Sequence, residues 1–331
     1  MKFTMAALFF CLLLAGCKSE KRPDVRQYRQ ERRFIRFERD LFALDKEHPD
    51  AASLQARYGR FFDLYAGGVL QLGDPRSEEF PRLLSYFLKD SVMRQLYDSV
   101  ETVYPDMAAQ ENELTGAFAY YACYFPGRPV PALYTHISGF NQSIVSDSAW
   151  ISVSLDNYLG EENLFYKMLA TPVPRYLARN MTPENIVRDL LLGWLTTEFP
   201  YHPPQNDLVS GMIYQGKLLY ILEKLLPDYA PEQLFGFTRE QWEWCRDNEA
   251  EMWGFLIENE YLFDTGQMLL RKYLFAAPFS PGMPEESPGQ AVLWNGYRIV
   301  GAYMKKSPLT AEALMAEQDY HKILREARYQ P

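Results

Sequence analysis

Apolar residues recur at three- and four-residue spacing over most of the chain, the period of a helix with one face in a core. Phe34, Phe37, Leu41 and Leu44 form one such stripe and predict a helix over 34–44. A second is predicted over 51–65, closed by Gly67-Gly68, with two more in FPRLLSYFLKD and SVMRQLYDSVETVY. ENELTGAFAYYACYFPG reads as another, ended by Pro126-Gly127. The period then changes. VPALYTHISGF and SIVSDSAWISVSLDNYLG are rich in Val, Ile, Thr, Ser and Tyr, and Trp150, Ser152 and Ser154 alternate with Ile151, Val153 and Leu155. This is strand signal, with Gly139-Phe140-Asn141 as the turn between the two runs. Helical spacing resumes in ENLFYKMLA, PENIVRDLLLGWLTTEF, LVSGMIYQGKLLYILEKLL, REQWEWCRDNEAEMWGFLIE, GQMLLRKYLF and QAVLWNGYRIVGAYMKK, with a short terminal stretch from Thr310. The pattern predicts an α+β fold, mainly α-helical with a small antiparallel β-sheet. No linker interrupts residues 34–331, which are read as one globular domain.

The first 33 residues break the pattern. Lys2 precedes an apolar run from Phe3 to Leu13, too short to span a bilayer. Leu14-Ala15-Gly16 then leads into Cys17, which resembles a bacterial lipobox. Residues 1–16 are expected to leave as a signal peptide, and Cys17 to carry acyl chains. Each buried CH₂ contributes about 0.8 kcal/mol to such an anchor. Residues 18–33 hold seven Lys/Arg against three Asp/Glu and read as a basic tether suited to anionic headgroups. The expected location is the cell envelope. Lys18-Ser19-Glu20 lacks an Asp directly after Cys17, which favours the outer membrane, facing the periplasm.

Composition narrows the partners. The 331 residues are 47% hydrophobic and 15% aromatic, enough for a sizeable core, and the net charge of -9 argues against a nucleic-acid partner. Of four Cys, only Cys123 and Cys245 lie beyond the anchor; they are bridged or buried and free, and spacing does not choose.

A strand, an amphipathic helix and a second helix follow one another as in zincin-type zinc peptidases. There, His-Glu-x-x-His sets two ligands at i and i+4 on one helix face, with Glu as general base. A Glu on the next helix completes the set in the gluzincin branch. Here the first helix reads Arg188-Asp189-Leu190-Leu191-Leu192 and the second Tyr214-Gln215-Gly216-Lys217. In that register both His positions are gone, Asp189 replaces the base and Gln215 the third ligand. Neither Arg nor Leu offers a lone pair to zinc. A degenerate zincin-like arrangement is therefore one expectation, with Asp189 and Gln215 as remnant-site residues; plain core helices are the other. The four His (His48, His136, His202, His321) form no cluster, and neither Ser138 nor Ser210 sits in a Gly-x-Ser-x-Gly elbow. No catalytic residue, metal or cofactor is assigned.

The lipobox, FERDLFAL, YGRFFDLYAGGVLQLG, ISVSLDNYLG, NMTPENIVRDLL, MIYQGKLLYILEKLLPD and SPGQAVLWNGYRIVGAYMKK run in this order over nearly the whole mature chain. Together they resemble the gliding-motility lipoprotein GldB family of Bacteroidetes. The resemblance implies a non-enzymatic component of the gliding and type IX secretion machinery that acts through envelope protein contacts. An envelope hydrolase with non-metal chemistry is the alternative. The late block is the most specific. Gly296 and Gly301 each cost about 1 kcal/mol in a helix interior, which implies close approach by another backbone or a partner. Trp294, Tyr297 and Arg298 would then face the remnant cleft or that partner, or else form core, with Arg298 paired to a local carboxylate. The segments 199–204 and 276–289, both proline-rich, read as contact surfaces or as packed crossovers.

Overall fold

The computed structural model describes residues 22–331, so the signal segment and Cys17 lie outside the described residues. After a 3-10 turn at Arg26–Tyr28 the described chain forms strand β1 (Phe34–Arg36), then helices α1 (Phe37–Phe42), α2 (Ala51–Tyr58), α3 (Arg60–Leu64), α4 (Phe80–Lys89), α5 (Ser91–Val103) and α6 (Ala108–Tyr124). Strands β2 (Ala132–His136), β3 (Ile144–Asp147) and β4 (Trp150–Ser154) follow. Next come α7 (Leu164–Met168), α8 (Arg175–Ala178), α9 (Ile186–Glu198), α10 (Leu208–Leu225), α11 (Pro231–Phe235) and α12 (Arg239–Asp247). The chain continues through α13 (Glu249–Glu258), α14 (Gln267–Leu274), α15 (Val292–Lys306), α16 (Ala311–Ala316) and α17 (Tyr320–Ala327). The fold is mainly helical with one small sheet.

Several local departures from the hydrophobic pattern have physical causes. Phe34 is buried, as its stripe requires, but in a strand: its amide donates to Glu111 and its backbone pairs beside Leu133. The helix expected over 51–65 is broken at Gly59, whose φ of +49° favours glycine, and α3 then runs into a wider helical turn over Tyr65–Val69. Residues 22–33 are mostly exposed and irregular around one 3-10 turn, Arg26–Tyr28, but they are docked rather than free. The Arg32 amide donates to Thr115 Oγ1 (2.9 Å), and Arg33 pairs with Glu111 and Arg22 with Asp228.

The sheet has the order β1-β2-β4-β3. It is mixed rather than antiparallel: β1 with β2 and β2 with β4 are parallel, and only β3 with β4 is antiparallel. The connection 137–143 carries the chain to the outer edge as β3, and the hairpin at Ser148-Ala149 returns it as β4 between β3 and β2. Side-chain alternation marks the faces of a strand but not the direction of its neighbours.

Both faces of β4 are covered. On one, Ile151 and Val153 meet α9, where a Cβ on Gly193 would lie 2.7 Å from Ile144 and 3.2 Å from Ile151. Leu190, Leu191 and Trp194 of α9 are fully buried, as expected for a helix packed on the sheet. On the other, Phe61 stacks on Tyr134 at 4.4 Å and meets Trp150 edge-on. The C-terminal half centres on α10 crossing α15. A Cβ on Gly216 would stand 2.3 Å from the Gly296 carbonyl carbon, and one on Gly296 would stand 2.0 Å from the Met212 oxygen. The close approach implied by Gly296 is thus a helix–helix crossing; Gly301 has nothing within 4 Å. Cys123 and Cys245 are both free.

Candidate functional site

Two regions gather polar groups. The first lies on the polar face and C-terminal edge of the parallel strands. His136 Nδ1 is 2.6 Å from Ser152 Oγ. The Asp156 carboxylate accepts from the Ser138 amide (3.1 Å), the Phe140 amide (2.8 Å) and the Ser154 hydroxyl. Glu38 accepts from Thr135 Oγ1 and from Arg36. His136, Asp156 and Glu38 are all buried. Burial pushes the two carboxyls up, against the hydrogen bonds that favour their charged forms, and holds the imidazole down at about 3. A serine triad needs the carboxylate on the imidazole. Here the partner of His136 is Ser152 and that of Asp156 is Ser154, and none of them lines the cavity described next. This network ties the 137–143 connection to the sheet.

The second region is a cavity of about 220 Å³ enclosed by α8, α9, α10, α11, the 276–289 loop and the start of α15. Helical spacing puts Arg188 and Leu192 one turn apart on α9, and α10 brings Gln215 to the same space. The three positions read as vacated ligand sites thus share one cavity. Arg188 is held by Asp189 Oδ1 at 2.7 Å and donates to the Gln233 carbonyl at 3.2 Å. Asp189 itself turns away from the cavity and accepts the Tyr158 hydroxyl at 2.8 Å; burial first, then Asp189, raises the Tyr158 pKa. The only charged residues in the lining are Arg179 and Arg188.

Trp294, Tyr297 and Arg298 do not line this cavity. Trp294 is buried behind Phe235, edge-on to Trp242 at 5.5 Å, and donates to Glu249 at 3.0 Å. Arg298 pairs with the same Glu249 at 3.1 Å, the local carboxylate of the architectural alternative. Tyr297 donates to Glu223 at 2.8 Å. The late block closes the cavity instead through Gln290 and Leu293. Sequence reading missed Arg179, Asn180 and Gln290, which no shared periodicity links; two segments more than a hundred residues apart bring them together. It also missed Lys217, buried against the Met315 and Glu317 carbonyls, where burial lowers its pKa to about 8.

Among the described residues no group of three or more His, Cys, Asp or Glu is placed to hold a metal ion, and no helix is long and apolar enough to cross a membrane. Fold and site define a mainly helical α+β domain with a small mixed sheet and a cavity walled by guanidinium, amide and apolar groups. The chain belongs to the family of gliding motility protein GldB, whose model matches residues 18–331. This family membership makes it a gliding-motility-associated protein. No curated protein and no solved structure matches it.

Proposed function

We propose that this protein is an acyl-anchored envelope lipoprotein, held through Cys17, that serves the gliding and type IX secretion machinery through protein contacts rather than catalysis. The observation that carries the reading is the family match, which begins at residue 18, next to Cys17, and runs to residue 331. The cavity supports it: Arg188, Leu192 and Gln215 stand where a degenerate zincin-like arrangement would have lost its ligands. Arg and Leu cannot bind zinc, and no carboxylate in the lining offers a general base. The docked segment 22–33 holds the body close to the anchor, with its basic residues near the headgroups of the outer membrane on the periplasmic side. Crosslinking of intact envelopes with this chain as bait tests the proposal. Wild-type protein should capture envelope proteins, and Cys17→Ala should lose the detergent-phase partition and most of that capture. Full detergent partition of Cys17→Ala, with wild-type mobility, would overturn the anchor.

A further inference from the structure

We propose that the 220 Å³ cavity receives the free carboxylate end of a polypeptide, with Arg179 taking the carboxylate and the adjoining groove taking the residues before it. This deepens the protein-contact reading and rests on it only for the occupant being a polypeptide. Arg179 carries the argument. Its Nε is buried without a hydrogen-bond partner, and its Nη2 reaches only the Gly236 carbonyl, at 3.5 Å. Among the described residues no carboxylate forms an ion pair with it; Glu161 acts on it only electrostatically, from beyond that distance. A guanidinium does not give up its proton in proteins, so this site holds a standing positive charge. Arg188, beside it, is already neutralised by Asp189. The lining contains no acidic residue, so an anion entering meets a planar donor fork with no carboxylate in the walls of the cavity itself.

The rest of the lining selects the kind of anion. Leu192, Leu219, Leu234 and Phe235 make an apolar wall suited to a side chain rather than to a bare phosphate. The volume is below the roughly 300–1,000 Å³ of drug-sized ligand sites and fits about one residue. Gln215 and Gln290 stand in the walls of both the cavity and a neighbouring groove of about 720 Å³ that also contains Tyr201 and Tyr214. The Gln215 side-chain amide has no hydrogen-bond partner among the described residues, and an amide so placed can pair with a peptide unit passing from groove to cavity.

The test uses the purified full chain in detergent micelles and a dye-labelled tetrapeptide ending in leucine, as the free acid and as the C-terminal amide. Fluorescence anisotropy should show the acid binding about ten- to a hundredfold more tightly, the range expected for a charge-assisted hydrogen bond. Arg179→Gln should abolish that preference with an unchanged Tm, and Arg179→Lys should keep part of it. Equal binding of acid and amide, or a preference that survives in Arg179→Gln, would overturn the proposal. So would inorganic phosphate stabilising the protein through Arg179 where the peptide acid does not. If the acid binds but envelope crosslinking captures nothing, the contact reading fails and this site stands. If capture is unchanged in Arg179→Gln and no acid preference exists, the site fails and the contact reading stands.

Discussion

Replacing Gly296 with alanine adds one methyl group at the tightest point between α10 and α15. That methyl would lie 2.0 Å from the Met212 oxygen and 2.6 Å from its carbonyl carbon, both in the backbone of a helix. No rotamer change relieves such a clash, so the two helices must move apart and loosen the apolar residues between them. Overpacking of this kind costs about 1–3 kcal/mol, and more where backbone is the obstacle. Against it stands the helix propensity of alanine, worth about 1 kcal/mol over glycine. The net expectation is a loss of about 1–2 kcal/mol, or a fall in Tm of several degrees. Gly301, in the same helix and five residues on, supplies the control. A Cβ there meets nothing within 4 Å, so only the propensity gain remains and Gly301→Ala should raise Tm by about 1–3 °C. Thermal melts followed by far-UV circular dichroism read both. A Gly296→Ala protein as stable as the wild type, or a Gly301→Ala protein destabilised to the same degree, would refute the crossing as the reason for this glycine.

Leu191→Ala removes a fully buried side chain from the face of α9 and should cost about 2–5 kcal/mol in denaturant titration; no shift in midpoint would place this helix off the core. His136 makes the protein acid-sensitive. Its folded pKa of about 3 lies below the unfolded value near 6.5, so between these pH values the unfolded chain binds the extra proton and stability falls as pH drops, by up to ~5 kcal/mol. Asp156 and Glu38, with raised pKa values, act in the opposite sense, so the His136 contribution is read as the difference in slope between wild type and His136→Gln over pH 4–6.5; identical slopes would sink it. Lys217, with its lowered folded pKa, should add stability as pH rises from about 8 towards the unfolded value, and Lys217→Met should flatten that rise.

Local periodicity determined much of this protein. The faces of α4, α5, α9 and α15 follow from apolar spacing because one buried stripe is enough to define a helix, whereas α10 is buried on nearly every side. The alternation in Trp150–Ser154 likewise marks a strand, and of the two late-block glycines Gly296 pointed correctly to a close backbone approach while Gly301 did not. What the tertiary structure alone decided depends on where distant segments meet. Strand direction was set by the route of the 137–143 connection and the β3–β4 hairpin. Phe34 became strand because an edge was open beside Leu133 and a carboxylate, Glu111, was there to take its amide. Asp189 and Gln215 were singled out together, yet Tyr158 and Arg188 hold Asp189 outside the cavity that Gln215 lines. Arg179 gave no signal in the sequence, since an arginine in a polar loop reads as surface. Its place in the cavity follows only from the packing of α8 against α11 and the 276–289 loop. Helix faces are properties of neighbouring residues a few positions apart; a cavity is what remains between elements once they have packed.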